Sequence, residues 1–144
     1  MSLKTVQLNN IRLAYEDAGS GQPVVMLHGY PFDHTMWNSQ IEAIQETHRV
    51  IAPDLRGFGN STLEESDPSQ GVEMQKYASD VLALLDKLKI TEPVILCGFS
   101  MGGYILWQFV LHHPERVRSL VHCDTRALAE SEEARQGRLS TPEE

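Results

Sequence analysis

The sequence is poor in cysteine. It has two in 144 residues, Cys97 and Cys123. Each closes an apolar run, and two such thiols make neither a disulfide framework nor a zinc site. Both are expected to be small buried side chains. Positive charge is scarce as well: 12 Lys and Arg stand against 20 Asp and Glu, for a net charge of −8. That balance argues against nucleic acid or an anionic membrane surface as a partner. The acid gathers in Glu64-Glu65-Ser66-Asp67 and after Ala129, where it reads as solvated surface. No stretch is long enough to span a bilayer, and the first residues lack the apolar core of a signal peptide. The expectation is a soluble protein of the reducing cytoplasm. Histidine is also missing after His122.

What is there is organised around Pro93-Val94-Ile95-Leu96-Cys97-Gly98-Phe99-Ser100-Met101-Gly102-Gly103-Tyr104. The apolar run at its start, rich in β-branched residues, reads as a buried strand. Ile105, Leu106, Phe109 and Val110 continue it at helical spacing. A strand, then G-x-S-x-G, then a helix is the context of a nucleophile elbow. The chain must reverse direction in a very tight turn, which strains the serine backbone. Gly98 and Gly102 remove the side chains that would clash. The helix N-terminus beside the serine offers free N–H groups and a positive dipole to a developing oxyanion. The plainer reading is a glycine-rich helix start capped by Ser100.

The remaining chain alternates strand and helix. Residues 5–8 and 11–16 suit a hairpin about Asn9-Asn10. Residues 24–27 are apolar throughout, so that strand is buried on both faces. Residues 49–52 and 117–123 are further strands. Helical spacing covers 35–45 and 74–88, where Tyr77, Val81, Leu84, Leu85 and Leu88 recur. Residues 127–138 read as a polar, weakly amphipathic helix within a tail that runs to 144. The fold class is α/β: a mostly parallel sheet of about six strands with helices on both faces, in one domain over 1–144.

Four blocks carry a resemblance. They are His28-Gly29-Tyr30-Pro31, Asp54-Leu55-Arg56-Gly57-Phe58-Gly59-Asn60-Ser61, Gly98-Phe99-Ser100-Met101-Gly102-Gly103 and Val121-His122-Cys123-Asp124-Thr125-Arg126-Ala127. In this order they resemble the α/β-hydrolase fold family, nearest its esterase, enol-lactonase and cofactor-free perhydrolase branch. The resemblance implies Ser100 as nucleophile and the backbone N–H groups of Tyr30 and Met101 as oxyanion hole. It implies no metal and no organic cofactor. Asp124 stands where some members carry the triad acid; the alternative is a helix cap. Arg56 reads as an anchor of its loop rather than a substrate clamp.

The resemblance covers the first half of a usual member. The cap, the last strands and the triad histidine belong to the other half. Of the six histidines here, His34 is the first candidate as base, because its loop borders the expected pocket; His28 is the second, and a histidine from a partner chain the third. The strand at 117–123 would be an interior strand in a full member. As a bare edge it invites pairing with another chain, so a two-fold homodimer through that strand or the 127–144 tail is expected. Two functions follow. One is a serine hydrolase cleaving short-chain carboxylic esters through an acyl-enzyme on Ser100, with perhydrolysis as a related reaction. The other is a catalytically inactive, self-associating half-domain.

Overall fold

The computed structural model describes residues 2–69, 71–127, 131–133 and 136. Lys4–Leu8 (β1) and Ile11–Ala18 (β2) form the expected hairpin. Its turn residues Asn9 and Asn10 have φ of 43° and 61°, left-handed values that asparagine tolerates and that match the twist of the strands. Four further strands follow: Gln22–Leu27 (β3), His48–Pro53 (β4), Val94–Phe99 (β5) and Val117–Cys123 (β6). The sheet order is β1-β2-β4-β3-β5-β6. β2 runs antiparallel to β4, while β4, β3, β5 and β6 are mutually parallel. This is the α/β sheet expected from the sequence.

The alternation of side chains sorts the core into two layers. Val25, Leu27, Ile51, Leu96 and Val94 face Met74–Lys87 (α2) and Met101–His112 (α3). Val24, Met26, Val50, Ala52 and Cys97 face the other way, toward Trp37 and Ile41. Ile41 lies on Asn38–Ile44 (α1), and Trp37 closes the short 3-10 turn His34–Trp37 before it. The helix expected at 35–45 is thus split. The Asp33 side chain accepts the Thr35 N–H and so sets a tight first turn.

The cluster of Trp37 and Ile41 spans β3, β4 and Cys97 of β5. Farther along the same face, on β6, Val121 is 44% exposed. Among the described residues, the outer edge of β6 has no strand partner. Most of the 127–144 tail lies outside the described residues.

Arg56 is almost fully buried. Its Nε and Nη2 donate to the two Asp80 carboxylate oxygens, each at 2.8 Å. Nη1 donates to Asp67 at 2.9 Å and Nη2 to the Asn9 carbonyl at 3.2 Å. Lys76 also binds Asp67. A buried guanidinium needs such partners, because desolvating it unpaired is costly. The network fastens the 54–67 loop to α2 and to the hairpin turn.

Candidate active site

Ser100 stands between β5 and α3 with φ 49° and ψ −111°. That backbone is strained for any side chain. Three hydrogen bonds hold it. The Ser100 N–H donates to the Cys123 carbonyl at 3.0 Å, and the Ser100 carbonyl accepts from the Gly103 N–H at 2.9 Å. Thr125 Oγ1 donates to the same carbonyl at 2.8 Å.

The glycines leave no spare room. A Cβ on Gly98 would lie 2.6 Å from the Gly102 carbonyl carbon, and one on Gly102 would lie 2.4 Å from the Leu27 oxygen. The second contact presses the start of α3 against the exit of β3. A Cβ on Gly29 would meet the Phe99 ring at 2.8 Å, so the loop after β3 also lies against the elbow. Leu27 and Gly98 are partners across the β3–β5 ladder. The segments after them therefore leave the sheet at one edge, the carboxyl end where α/β sheets bind ligands.

That edge holds both expected oxyanion donors. Among the described residues, neither the Tyr30 N–H nor the Met101 N–H donates to a protein acceptor. Met101 opens α3, so its N–H is one of the helix's unused donors. Tyr30 is 71% exposed and Phe32 48% exposed. Tyr30 packs edge-on against Phe58, and Phe32 lies 6.2 Å from Phe99, centroid to centroid. These rings give the edge an apolar rim.

The histidines are sorted by their partners. His34 Nδ1 donates to Asp54 Oδ1 at 2.6 Å, and the His34 N–H reaches the same oxygen at 2.8 Å. Asp54 is fully buried, and its other oxygen takes the Asn60 N–H at 2.8 Å. The ring is thereby fixed with its proton on Nδ1. Among the described residues Nε2 has no hydrogen-bond partner. His28 is different: Nε2 accepts the Leu55 N–H at 2.9 Å, and Nδ1 donates to the Gly29 carbonyl at 2.9 Å. Both nitrogens are used, which leaves His28 no lone pair for a substrate. Burial lowers its pKa. His122 stacks on Trp107 with ring centroids 4.7 Å apart, and His112 binds the Gln108 carbonyl.

Asp124 was expected as the triad acid or as a helix cap. The chain leaves β6 after Cys123 and turns to φ 45° at Asp124, which ends the strand alternation. Asp124 is exposed. Among the described residues it bonds to no histidine, and Ser100 Oγ has no hydrogen-bond partner. The structure thus joins His34 to Asp54, not to Asp124. Asp54 was the residue missed. Its signal was present in its place at the carboxyl end of a strand, inside Asp54-Leu55-Arg56-Gly57.

Ligand atoms of Asp33, His34 and Asp54 lie within 4.8 Å of one another, a spacing that a cation would fit. The donors around them account for these oxygens without one. Asp33 accepts from the Thr35 N–H and hydroxyl, the hydroxyl bond first among the causes that lower its pKa.

The family model described as alpha/beta hydrolase fold matches residues 22–144. Epoxide hydrolase 2 of Siraitia grosvenorii is 35% identical over 86% of this chain and 39% of its own length. AB hydrolase superfamily protein YisY of Bacillus subtilis is 37% identical over 72% of this chain and 37% of its own. Among solved structures, a thermophilic esterase from Thermogutta terrifontis superposes with a TM-score of 0.84 at 38% identity, over 96% of this chain and 51% of that one. The chain spans about two fifths of the length of these curated relatives.

Proposed function

The chain belongs to the alpha/beta hydrolase fold family, and on that premise we propose that it is a serine hydrolase that cleaves short-chain carboxylic esters through an acyl-enzyme on Ser100. The observation that carries this reading is the strained Ser100 backbone, held by three hydrogen bonds at the head of α3. Strain of this kind persists only where the surroundings enforce it. In this reading it turns the hydroxyl toward the Tyr30 and Met101 N–H groups.

In this reading Ser100 Oγ attacks the ester carbonyl. The Tyr30 and Met101 N–H groups take the negative charge that forms on its oxygen. Removing one such donor typically costs about 10²–10³ in kcat. The proton goes to His34 Nε2, with Asp54 orienting the ring through Nδ1. His34 then gives it to the leaving alcohol, and water releases the acyl group. His34 and Ser100 are not hydrogen-bonded to each other, so the assignment of His34 rests on its free Nε2. The aromatic rim of Tyr30, Phe32 and Phe58 favours an apolar acyl or alcohol portion.

Among the described residues the outer edge of β6 is unpaired, and it fits a second copy of this chain. An antiparallel two-fold pairing centred on Val121 would set Leu120 opposite His122 of the partner subunit.

The test is hydrolysis of p-nitrophenyl acetate and butyrate beside Ser100→Ala. Turnover abolished by the substitution is expected. Equal background rates for the two proteins would leave the inactive half-domain as the reading, which the unpartnered Ser100 hydroxyl favours.

A further inference from the structure

The two cysteines, 26 residues apart in sequence, meet in the fold. Cys97 pairs with Val121 across the β5–β6 ladder, and Cys123 is the next residue on the same face. Their Sγ atoms are 3.8 Å apart, and both thiols are free. They lie on the side of the sheet that carries α1, Cys97 buried in the cluster of Trp37 and Ile41 and Cys123 partly open at its border. Both border the elbow. Cys97 immediately precedes Gly98, and the Cys123 carbonyl is the acceptor for the Ser100 N–H.

We propose that Cys97 and Cys123 form a reversible dithiol–disulfide pair that controls the geometry of Ser100. A small-molecule disulfide such as oxidised glutathione is the oxidant. Cys123 is the accessible thiol and attacks first: its sulfur bonds to one glutathione sulfur, and the other glutathione leaves as thiolate. Cys97 then loses its proton to solvent and attacks Cys123 Sγ. The second glutathione leaves and is protonated. Two protein thiols are oxidised by two electrons, and one glutathione disulfide is reduced to two thiols. Burial, with Cys123 beside it, pushes the Cys97 thiol up to about 12, so the first attack falls to the more open Cys123.

An S–S bond is about 2.05 Å long, so the two sulfurs must close nearly half of their present 3.8 Å separation. The movement falls on Cys123, whose carbonyl holds Ser100 in its strained conformation. A displacement of about 1 Å at a reacting group can cost about a hundredfold in rate. Oxidation therefore disarms Ser100, and reduction restores it. This last consequence rests on Ser100 being the nucleophile; the disulfide and its effect on the backbone do not.

The test uses the whole purified chain, equilibrated with oxidised glutathione and then with dithiothreitol. Three readouts are taken: intact mass after alkylation, amide exchange in the segment containing residues 99–103, and labelling of Ser100 by a fluorophosphonate. The expected result is loss of both alkylation sites within one chain, at least tenfold faster amide exchange in that segment, and at least tenfold slower labelling, all reversed by dithiothreitol. Cys97→Ser, with Cys97→Ala as a second variant, should close no disulfide, carry at most one glutathione by mass, and keep its exchange rate in the oxidant. Two alkylatable thiols after oxidation, a disulfide between chains, or a disulfide with unchanged exchange would each overturn the proposal. If the reduced protein takes no fluorophosphonate at all, the hydrolase reading fails, and mass and exchange still decide the disulfide.

Discussion

Thr125 Oγ1 donates a 2.8 Å hydrogen bond to the carbonyl of Ser100, and a Cβ on Gly103 would lie 2.4 Å from that same hydroxyl oxygen. One contact therefore joins the turn after β6 to the first turn of α3. The Thr125 side chain occupies the space that any residue but glycine would need at 103.

Removing the hydroxyl while keeping the shape separates its two duties. Thr125→Val should slow fluorophosphonate labelling of Ser100 by about tenfold, while costing only about 1 kcal/mol of stability, the usual worth of one hydrogen bond. Gly103→Ala should unfold more readily than the parent. Adding Thr125→Ala to it should recover part of that loss, so a double-mutant cycle by chemical denaturation should be clearly non-additive.

The strain at Ser100 has its own signature. Ser100→Ala removes the hydroxyl but keeps a Cβ in a backbone conformation of φ 49° and ψ −111°. Ser100→Gly removes both. The glycine variant should be more stable than the alanine variant by about 1 kcal/mol, the strain of order 1–3 kcal/mol being offset in part by glycine's unfolded-state entropy. Thermal melts of the two inactive proteins make the comparison, and an alanine variant at least as stable would show that the elbow is relaxed.

Acid should weaken the fold from near pH 6.5 downward. Burial holds His28 below its ordinary value, so the unfolded chain binds a proton there that the folded chain refuses. The stability His28 gives is present above its unfolded pKa of about 6.5 and is lost as pH falls toward the folded value. Asp67 acts in the same direction at lower pH. Its own desolvation is outweighed by hydrogen bonds from Lys76 and Arg56, which lower its pKa. Urea midpoints at pH 7.5 and 5.5 should differ for the parent protein, and the difference should shrink in His28→Gln.

The open edge of β6 should govern association. Light scattering at micromolar concentration should give twice the chain mass. Val121→Lys places a charge at the centre of the proposed register and should return the monomer. A parent protein that is monomeric at that concentration would remove the second copy.

The elements were legible where the sequence forces a local choice. Residues 117–123 were expected as a strand and form β6 with those bounds, because an apolar run between a proline-led turn and Asp124 has few alternatives. The elbow was legible because its glycines are demanded by contacts at 2.4–2.8 Å. Relationships across the fold were harder. Asp54 and His34 are 20 residues apart and meet only because the loop after β3 folds over the end of β4. The Cys97–Cys123 contact depends on the parallel register of β5 and β6. Asp124 was placed by its position after the last strand, and the turn to φ 45° there, which ends the strand's alternation, is not written in the residues.

The Arg56 network changes what the 54–67 loop is. A segment without regular structure at the surface is where proteases usually cut, since cleavage needs a stretch of chain free to leave the body. Here the loop is tied inward by one guanidinium to Asp80, Asp67 and the Asn9 carbonyl. It should pass intact through digestion of the native protein. The same loop holds Asp54, and Asp54 holds His34. The setting of that imidazole is therefore anchored one strand away, in the carbonyl of a hairpin turn.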